Sequence, residues 1–569
     1  RDIEKIEYHD APSGKYAKDK LVVNFITKQY RYGGYVQADG LQTIGYDHGD
    51  YNVATNYVKG NNSYTVFAGA NYSHVDGTET WNNENYQFPQ SLFDRESYSK
   101  NSYQNHQEYM QFRYQNQKGK RYWVGKFTLV NLSTPRNASS GFARESTETD
   151  IFSNIRKKSL SPKIDLNANL PLSKNQTLTL GVHGKYSANS YHRLYQEQPF
   201  EAMTDEDEKA LWFQLSAIYN YFSQKHSLSV ELFHYHDVWN ADYSGNCELW
   251  QHLWKGESLA FFSYNFQASR RLSLKTRIGL DWLQYHLHGD NSFSQLSPRI
   301  NTNVQYQLNK GMLLWSFNFV NSDHGMDVIN RAMIQVNSHM MEKGMPELKK
   351  SHDINTYLYY MGRFNRLSVS AIGQFRYNHH PVTDDYYLDE ANGKIVKTYS
   401  NGGNAQYYSA ILALQYKLCK FANLSGDIRY NHAEVKTTWS KHNNNLTGNL
   451  GLNMFMGDFA LKPYLHFGKK SLDEAALVIS KTPIDYGMSC SYSRGNLYVE
   501  LQAASPFKKQ EKRYWLDLPI YSYSKSIKDQ TASQYASIKV AYSFDFGRKT
   551  QKVEKDVNKN INSSLLRVE

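Results

Sequence analysis

The sequence predicts an all-β protein, an antiparallel transmembrane β-barrel of about 22 strands. Three observations point there. Apolar residues recur at every second position, short and long connections alternate, and aromatic residues make up 15% of the chain, with 46 Tyr against 13 Pro. No stretch approaches the roughly 18 consecutive apolar residues of a membrane-crossing helix. A barrel strand needs only alternate residues apolar, so a mean hydropathy of -0.69 is compatible with one.

The alternation is clearest in four segments. In 163–172, "KIDLNANLPL", Ile164, Leu166, Ala168, Leu170 and Leu172 share one face, and Lys163, Asp165, Asn167 and Asn169 share the other. In 272–282, "LSLKTRIGLDW", Leu272, Leu274, Ile278, Leu280 and Trp282 oppose Ser273, Lys275, Arg277 and Asp281. In 423–430, Leu424, Ile428 and Tyr430 oppose Asn423, Ser425, Asp427 and Arg429. In 537–546, Ile538, Val540, Tyr542, Phe544 and Phe546 oppose Ser537, Lys539, Ser543 and Asp545. A strand sends successive side chains to opposite faces, so each segment has one oily and one wet side. No helical segment of comparable amphipathicity is present to cover the oily faces, and segments this long suit tilted membrane strands.

Connections set the strand number. Short turns are expected at Gly60-Asn61-Asn62, Gln117–Lys120, Ser173–Gln176, Ser223–Lys225, Ser269–Arg271, Asn309–Gly311, Asn365-Arg366, Leu418–Lys420, Gly457-Asp458 and Arg494–Asn496. Longer polar and aromatic connections lie between them, for example at 74–100, 136–157, 189–208, 324–351, 380–404 and 506–532. About ten short turns and about eleven long loops give about 22 strands, an even count with both ends on the short-turn side. Short turns and the tail after Phe546 are expected on the periplasmic side, long loops on the extracellular side. The chain divides into residues 1–29, a barrel at 30–547 and a charged tail at 548–569.

The net charge of +11 is dispersed, without a basic run, and does not point to nucleic acid. A rim among anionic headgroups tolerates it. Cys247, Cys419 and Cys490 are far apart and have neither metal-ligand nor disulfide spacing. Tyr and Trp suit membrane interfaces, having an apolar body and a polar tip.

The opening stretch, "IEKIEYHDAPSGKYAKDKLVVNFITK", resembles the last part of the plug domain of TonB-dependent outer-membrane receptors. The matching residues are Ile3, Glu4, Ile6, Glu7, Pro12, Ser13, Tyr16, Val22, Val23, Asn24, Phe25, Ile26, Thr27 and Lys28. Val22 to Ile26 is a short apolar run of β-formers, as a strand buried in a lumen would be. Ala17-Lys18-Asp19-Lys20 stand where the family usually has glycines. "GMPELKKSHDINTYLYY", Gly344 to Tyr360, is similar to the segment leading from a loop into a descending strand, matched at Pro346, Leu348 and Lys349. "LQAASPF" at 501–507 and the last strand with its charged tail resemble the Bacteroidetes-type outer-membrane barrel family. The resemblance implies that a signal peptide, a TonB-contacting segment and most of a plug precede Arg1, or that the plug is absent or separate.

Catalytic patterns are absent from the sequence: no Gly-x-Ser-x-Gly, phosphate loop or His-Glu-x-x-His occurs. His234 and His236 share a strand face beside Asp237, a pair without a placeable third metal ligand. Asp205, Glu206, Asp207 and Glu208 read as a solvated acidic loop, and "NHHP" at 378–381 as a loop entrance. The expected protein is therefore not an enzyme and carries no cofactor. The resemblance implies a receptor and transporter in the outer membrane of a Gram-negative bacterium, importing a scarce ligand. Trp81, Tyr86, Phe88, Arg193, Tyr195, Tyr514 and Trp515 are the candidate ligand contacts, being aromatic or polar and in long connections. Expected partners are outer-membrane lipid and lipopolysaccharide, a TonB-type energy-coupling protein if a contact segment exists upstream, and other outer-membrane or lipoprotein subunits. The alternative is a non-transporting accessory barrel in a larger outer-membrane complex.

Overall fold

The computed structural model describes residues 3–9, 22–27, 32–89, 91–290, 292–322, 325, 327–529, 534–547, 556–561 and 563. Its body is a closed ring of 22 antiparallel strands. In chain order these are Tyr32–Ile44, Asp47–Lys59, Asn62–Phe88, Ser91–Lys118, Arg121–Arg144, Glu148–Ser173, Gln176–Glu197, Phe200–Phe222, His226–Gly245, Leu249–Gln267 and Leu272–Leu287. Ser292–Leu308, Gly311–Ser322, Ser351–Phe364, Leu367–His379, Asn404–Lys417, Ala422–Lys436, Ser440–Met456, Phe459–His466, Asp485–Arg494, Leu497–Ala504 and Tyr535–Gly547 follow. Each pairs with the next, and the last returns to the first, with Gly33 opposite Gly547 and Ile44 opposite Ala536.

The ten expected short turns lie where the sequence places them, and the structure adds two-residue turns at the opposite end, between Ile44 and Asp47, Phe88 and Ser91, and Glu197 and Phe200. Several join strands through two residues, as between Phe364 and Leu367 or Met456 and Phe459. Asn365 (φ 54°) and Gly457 (φ 62°) supply the left-handed residue such tight hairpins need.

The two faces also follow the alternation. Ile278 is 49% exposed on the outside, while Asp281, three residues on, is fully buried within. Leu160, Ile164, Leu166 and Leu172 face out, and Lys163 faces the lumen. At the short-turn edge the outward rings of Tyr32, Tyr57, Tyr64 and Tyr114 form a ladder, with successive centroids 6.1, 6.4 and 5.3 Å apart. Such a girdle matches the interface of a bilayer.

The expected long loops at 74–100, 136–157 and 189–208 are instead mostly strand. Ser91–Lys118 alone has 28 residues, far beyond the roughly 9–11 that cross hydrocarbon. The acidic run at 205–208 is likewise strand, sending Glu206 and Glu208 inward and Asp207 outward. Above the apolar band both faces of the sheet meet water or polar side chains, so the hydropathy alternation fades while the ladder continues. Bulges mark the departure. Register shifts fall at Asp76/Thr78, Gln104/His106 and Thr134/Asn137, where neighbouring strands leave the band and bend.

Two hairpins raise the wall further. Val478–Thr482 pairs with Gln510–Asp517, and Tyr521–Asp529 pairs with the upper part of Asn62–Phe88. A separate four-stranded sheet, Met333–Gln335, Met340–Lys343, Lys394–Ser400 and Thr383–Asp389, comes from the connections at 323–350 and 380–403. Met340, Tyr386 and Ile395 pack with Tyr86, Val435, Leu477, Leu516 and Tyr521, so this sheet is tucked into the mouth.

Ile3–His9 pairs antiparallel with Val22–Thr27 as a two-stranded hairpin outside the barrel sheet. Pro12, Ser13, Tyr16 and Lys28 of the opening motif lie outside the described residues. Part of the tail departs from expectation. Residues 556–561 and 563 lie against lumen-facing side chains rather than beyond the end of the barrel.

Ile278→Arg is expected to lower unfolding stability in lipid vesicles by about 2–4 kcal/mol, because it puts a charge against hydrocarbon. Lys275→Gln, on the lumen face, should change it far less. Urea titration in vesicles compares the two, and equal losses would reverse the assignment of faces.

Candidate functional site

Charged side chains meet at the mouth. Arg95 and Glu84 stand opposite each other across a hairpin and both point inward. Arg95, only 4% exposed, donates to Glu84 (2.6 Å), to Glu197 (3.0 Å) and to the Tyr195 hydroxyl (3.0 Å). Tyr86 and Tyr521 each donate to the other Glu84 oxygen, at 2.9 and 2.8 Å. Burial opposes the guanidinium's charge, but the Glu84 and Glu197 carboxylates hold Arg95 above its ordinary value. Burial, then the Glu84 charge, push both tyrosines well above theirs, so they remain donors.

This cluster grips the segment that enters the lumen. Asn337 donates to the Tyr86 hydroxyl (2.9 Å) and Ser338 to Glu197 (3.2 Å). His339 reaches Glu145 at 2.8 Å and stacks on Phe93. Arg193 donates to the carbonyls of Gln335 (2.8 Å) and Val336 (2.6 Å).

A second anchor holds the other end of the same connection. The Lys350 and Asp281 side chains are both fully buried and 2.8 Å apart. Arg299 joins Asp281 to Glu257. The Tyr285 hydroxyl adds a bond to the Pro346 carbonyl (3.2 Å). Within the inserted sheet, Lys397 lies 3.2 Å from Glu342 and 3.4 Å from Asp384. Burial pushes Asp384 up to about 6 against the pull of Lys397. Higher on the wall, burial with Glu208 alongside pushes Glu206 up to about 9, so it carries its proton at neutral pH.

Below the mouth the lumen keeps a recess of about 460 Å³ against the strands from Ser351–Phe364 to Phe459–His466. Small inward residues, Ser370, Ala413, Ser425 and Gly451, make the space, and Asp427, Asn449 and His466 give it polarity.

The candidate contacts divide. Tyr86, Phe88, Arg193 and Tyr195 converge on residues 335–339, Phe88 through Phe93 and His339. Trp81 is exposed and packs on Tyr98, and Trp515 takes the strand face opposite Leu516, so neither joins them. Tyr514 shares the face of Leu516 on the extension. Glu84, Arg95, Glu197, Tyr521, His339, Asp281 and Lys350 are the residues sequence reasoning missed. One signal was available: a turn after Phe88 puts Glu84 opposite Arg95 by hairpin register. His234 and His236 lie on the outward-facing side, the first bonded to Ser258 and the second stacked on Phe213. Among the described residues no group of three His, Cys, Asp or Glu is arranged to hold a metal ion.

No family model matches the chain, and neither does any curated protein. Solved structures do resemble it. The copper transporter OprC aligns over 93% of this chain and 83% of its own, at 10% identity and a TM-score of 0.64. The siderophore receptor PirA from Pseudomonas aeruginosa aligns over 92% and 82%, at 11% identity and 0.58. The ferripyoverdine receptor of the outer membrane of Pseudomonas aeruginosa aligns over 92% and 73%, at 10% identity and 0.59. These neighbours are receptors and transporters, not enzymes, and at such identity they establish a shared fold.

Arg95→Met leaves two buried carboxylates without their cation, a loss of about 3–5 kcal/mol in the local closing of the mouth. Hydrogen exchange should quicken in 335–342 and 521–523 and stay unchanged in the wall below. Unaltered exchange at 335–342 would show that the cluster does not hold the segment.

Asp384 binds its proton more tightly folded than unfolded, where its value is 3.8. Its contribution is therefore complete below that value and is lost as pH rises through about 6. Protection factors in 383–389 should fall between about pH 4 and 6 and level off above that, and Asp384→Asn should flatten the dependence.

Proposed function

We propose that the chain is the barrel of a TonB-dependent receptor-type transporter, of the Bacteroidetes-type group, in the outer membrane of a Gram-negative bacterium, where it imports a scarce ligand. The observation that carries the reading is a wide 22-stranded ring whose mouth is occupied by its own sheet on buried ion pairs. An open pore needs no such packing. A gated importer does, since the mouth must exclude bulk solutes and yield to one ligand. The neighbours named for copper and siderophore traffic support this class. Metal chelates, glycans, vitamins and peptides are the ligand classes to test.

In this reading residues 1–29 are the end of a plug, supported by the apolar Val22–Thr27 strand and its pairing with Ile3–His9. Tyr86, Phe88, Arg193 and Tyr195 hold the segment at 335–339 until ligand displaces it, Tyr514 lines the approach, and Trp81 and Trp515, on the outer face of the long hairpins, drop out of the contact set. The partners are a TonB-type energy-coupling protein and the lipopolysaccharide leaflet. Arg156 and Lys158, exposed on the outside above the apolar band, suit its anionic headgroups.

Deletion of the gene should abolish energy-dependent uptake of one labelled compound from a panel of those four classes. Restoring the full gene should restore uptake, and collapsing the proton gradient should stop it. Uptake of the whole panel unchanged by deletion, together with fixed-ratio co-purification with another outer-membrane protein, would overturn transport in favour of the accessory barrel.

A further inference from the structure

Seven residues of the C-terminal tail climb the inside of the wall. Asp556 lies low, where Lys126 meets its carboxylate at 2.5 Å and Gln111 donates to its carbonyl at 3.3 Å. Lys163, on the inner face of Glu148–Ser173, donates to the carbonyls of Asn558 (2.7 Å) and Asn560 (2.6 Å). Val557 and Ile561 pack against a buried cluster of Phe67, Tyr109 and Val130. The Lys559 ammonium sits 4.4 Å from the centre of the Tyr109 ring. Ser563 reaches Glu208 on Phe200–Phe222.

We infer that this strip of inner wall, across the strands from Asn62–Phe88 to Glu148–Ser173, is a binding site for an extended polypeptide, filled in cis by residues 556–561 and 563. The wall side is preformed by the ladder. Phe67, Tyr109 and Val130 offer an apolar patch on this part of the inner wall, and Val557 and Ile561 of the tail pack against it. Lys163 is a nearly buried cation, and two carbonyls from the guest satisfy its donors. Backbone carbonyls recognise an extended chain rather than a helix, whose carbonyls are already engaged. The guest crosses strands without joining the sheet, so its release breaks no ladder bond. The strip also lies across the ring from the recess at Ser370 and Asp427, so the tail narrows the lumen from one side and leaves that recess as the free side.

The test uses the full chain with Cys247, Cys419 and Cys490 replaced by serine and Val557→Cys as the only thiol. In the folded barrel this thiol should react with a bulky maleimide at least about tenfold more slowly than in a free peptide of residues 548–569, as burial of an apolar anchor implies. Lys163→Met, which alters the wall, and Ile561→Asp, which alters only the guest, should each raise the rate at least about threefold, as loss of one contact implies. Heat-modifiable migration on gels confirms that each barrel is folded. A rate equal to that of the free peptide, or one unmoved by either folded variant, overturns the inference. Should Lys163→Met not fold, Ile561→Asp alone decides it.

Discussion

A strand in hydrocarbon has no water to bond its backbone, so every carbonyl and amide must find a partner in the sheet. That constraint makes closure the first condition of this structure, and closure depends on one seam. There Tyr32–Ile44 meets Tyr535–Gly547, the two ends of the ring, far apart in sequence, with Gly33 opposite Gly547 and Ile44 opposite Ala536. The seam is close-packed: a Cβ on Gly34 would stand 2.2 Å from the Asn56 carbonyl and 2.4 Å from the Phe546 ring. Only glycine lets the first strand lie flat between its two neighbours. Everything inside the lumen presupposes that this join holds.

Inside the ring, what fills the mouth is held by two kinds of contact. Met340, Tyr386 and Ile395 of the inserted sheet pack with Tyr86, Val435, Leu477, Leu516 and Tyr521. Buried ion pairs stand beside that packing in three places: Arg95 with Glu84 and Glu197, Lys350 with Asp281, and Lys397 with Glu342. Buried pairs of this kind add little net stability over apolar packing, yet they are severely disrupted when one partner leaves. A mouth built on them is weakly favoured and sharply defined. That combination fixes one arrangement of the segment at 335–339 without adding much to its stability.

What was legible in the sequence follows from the same physics. The ten expected short turns were legible chiefly because tight hairpins favour Gly, Asn or Ser, as at Gly457 and Asn365, whereas the two-residue turn at Gly45-Tyr46, at the other end of the barrel, was not read. The wall could be read from Leu274, Ile278 and Leu280, because lipid enforces alternation only where lipid is present. Above Leu211 on its strand the outward residues become Lys209, Asp207 and Asp205, and the pattern that marks a strand disappears while the strand goes on. Tyr86, Phe88, Arg193 and Tyr195 were found as aromatic and polar residues of long connections. Their meeting point at 335–339 was hidden, since the inserted segment joins a strand more than 200 residues distant in sequence. The tail misled for a related reason. Its charges suggest solvent, but Lys559 and Asp556 find an aromatic ring and a lysine inside the lumen.

The ring itself is lopsided: Ser91–Lys118 has 28 residues and Phe459–His466 has 8. Further asymmetry comes from what lies within it. At the long-hairpin end stands a sheet on buried ion pairs. Along one wall lies a guest segment on Lys163 and Gln111, and along the opposite wall a recess of small polar residues. The inserted sheet and the guest share no strand pairing with the bilayer-level ladder, so each can move without threatening closure, whereas the recess is shaped by the ladder's own inward side chains. Strength and mobility are thereby assigned to different bonds. The ladder supplies the first through interstrand backbone bonds, and the lumen supplies the second through side-chain contacts that can be exchanged one at a time.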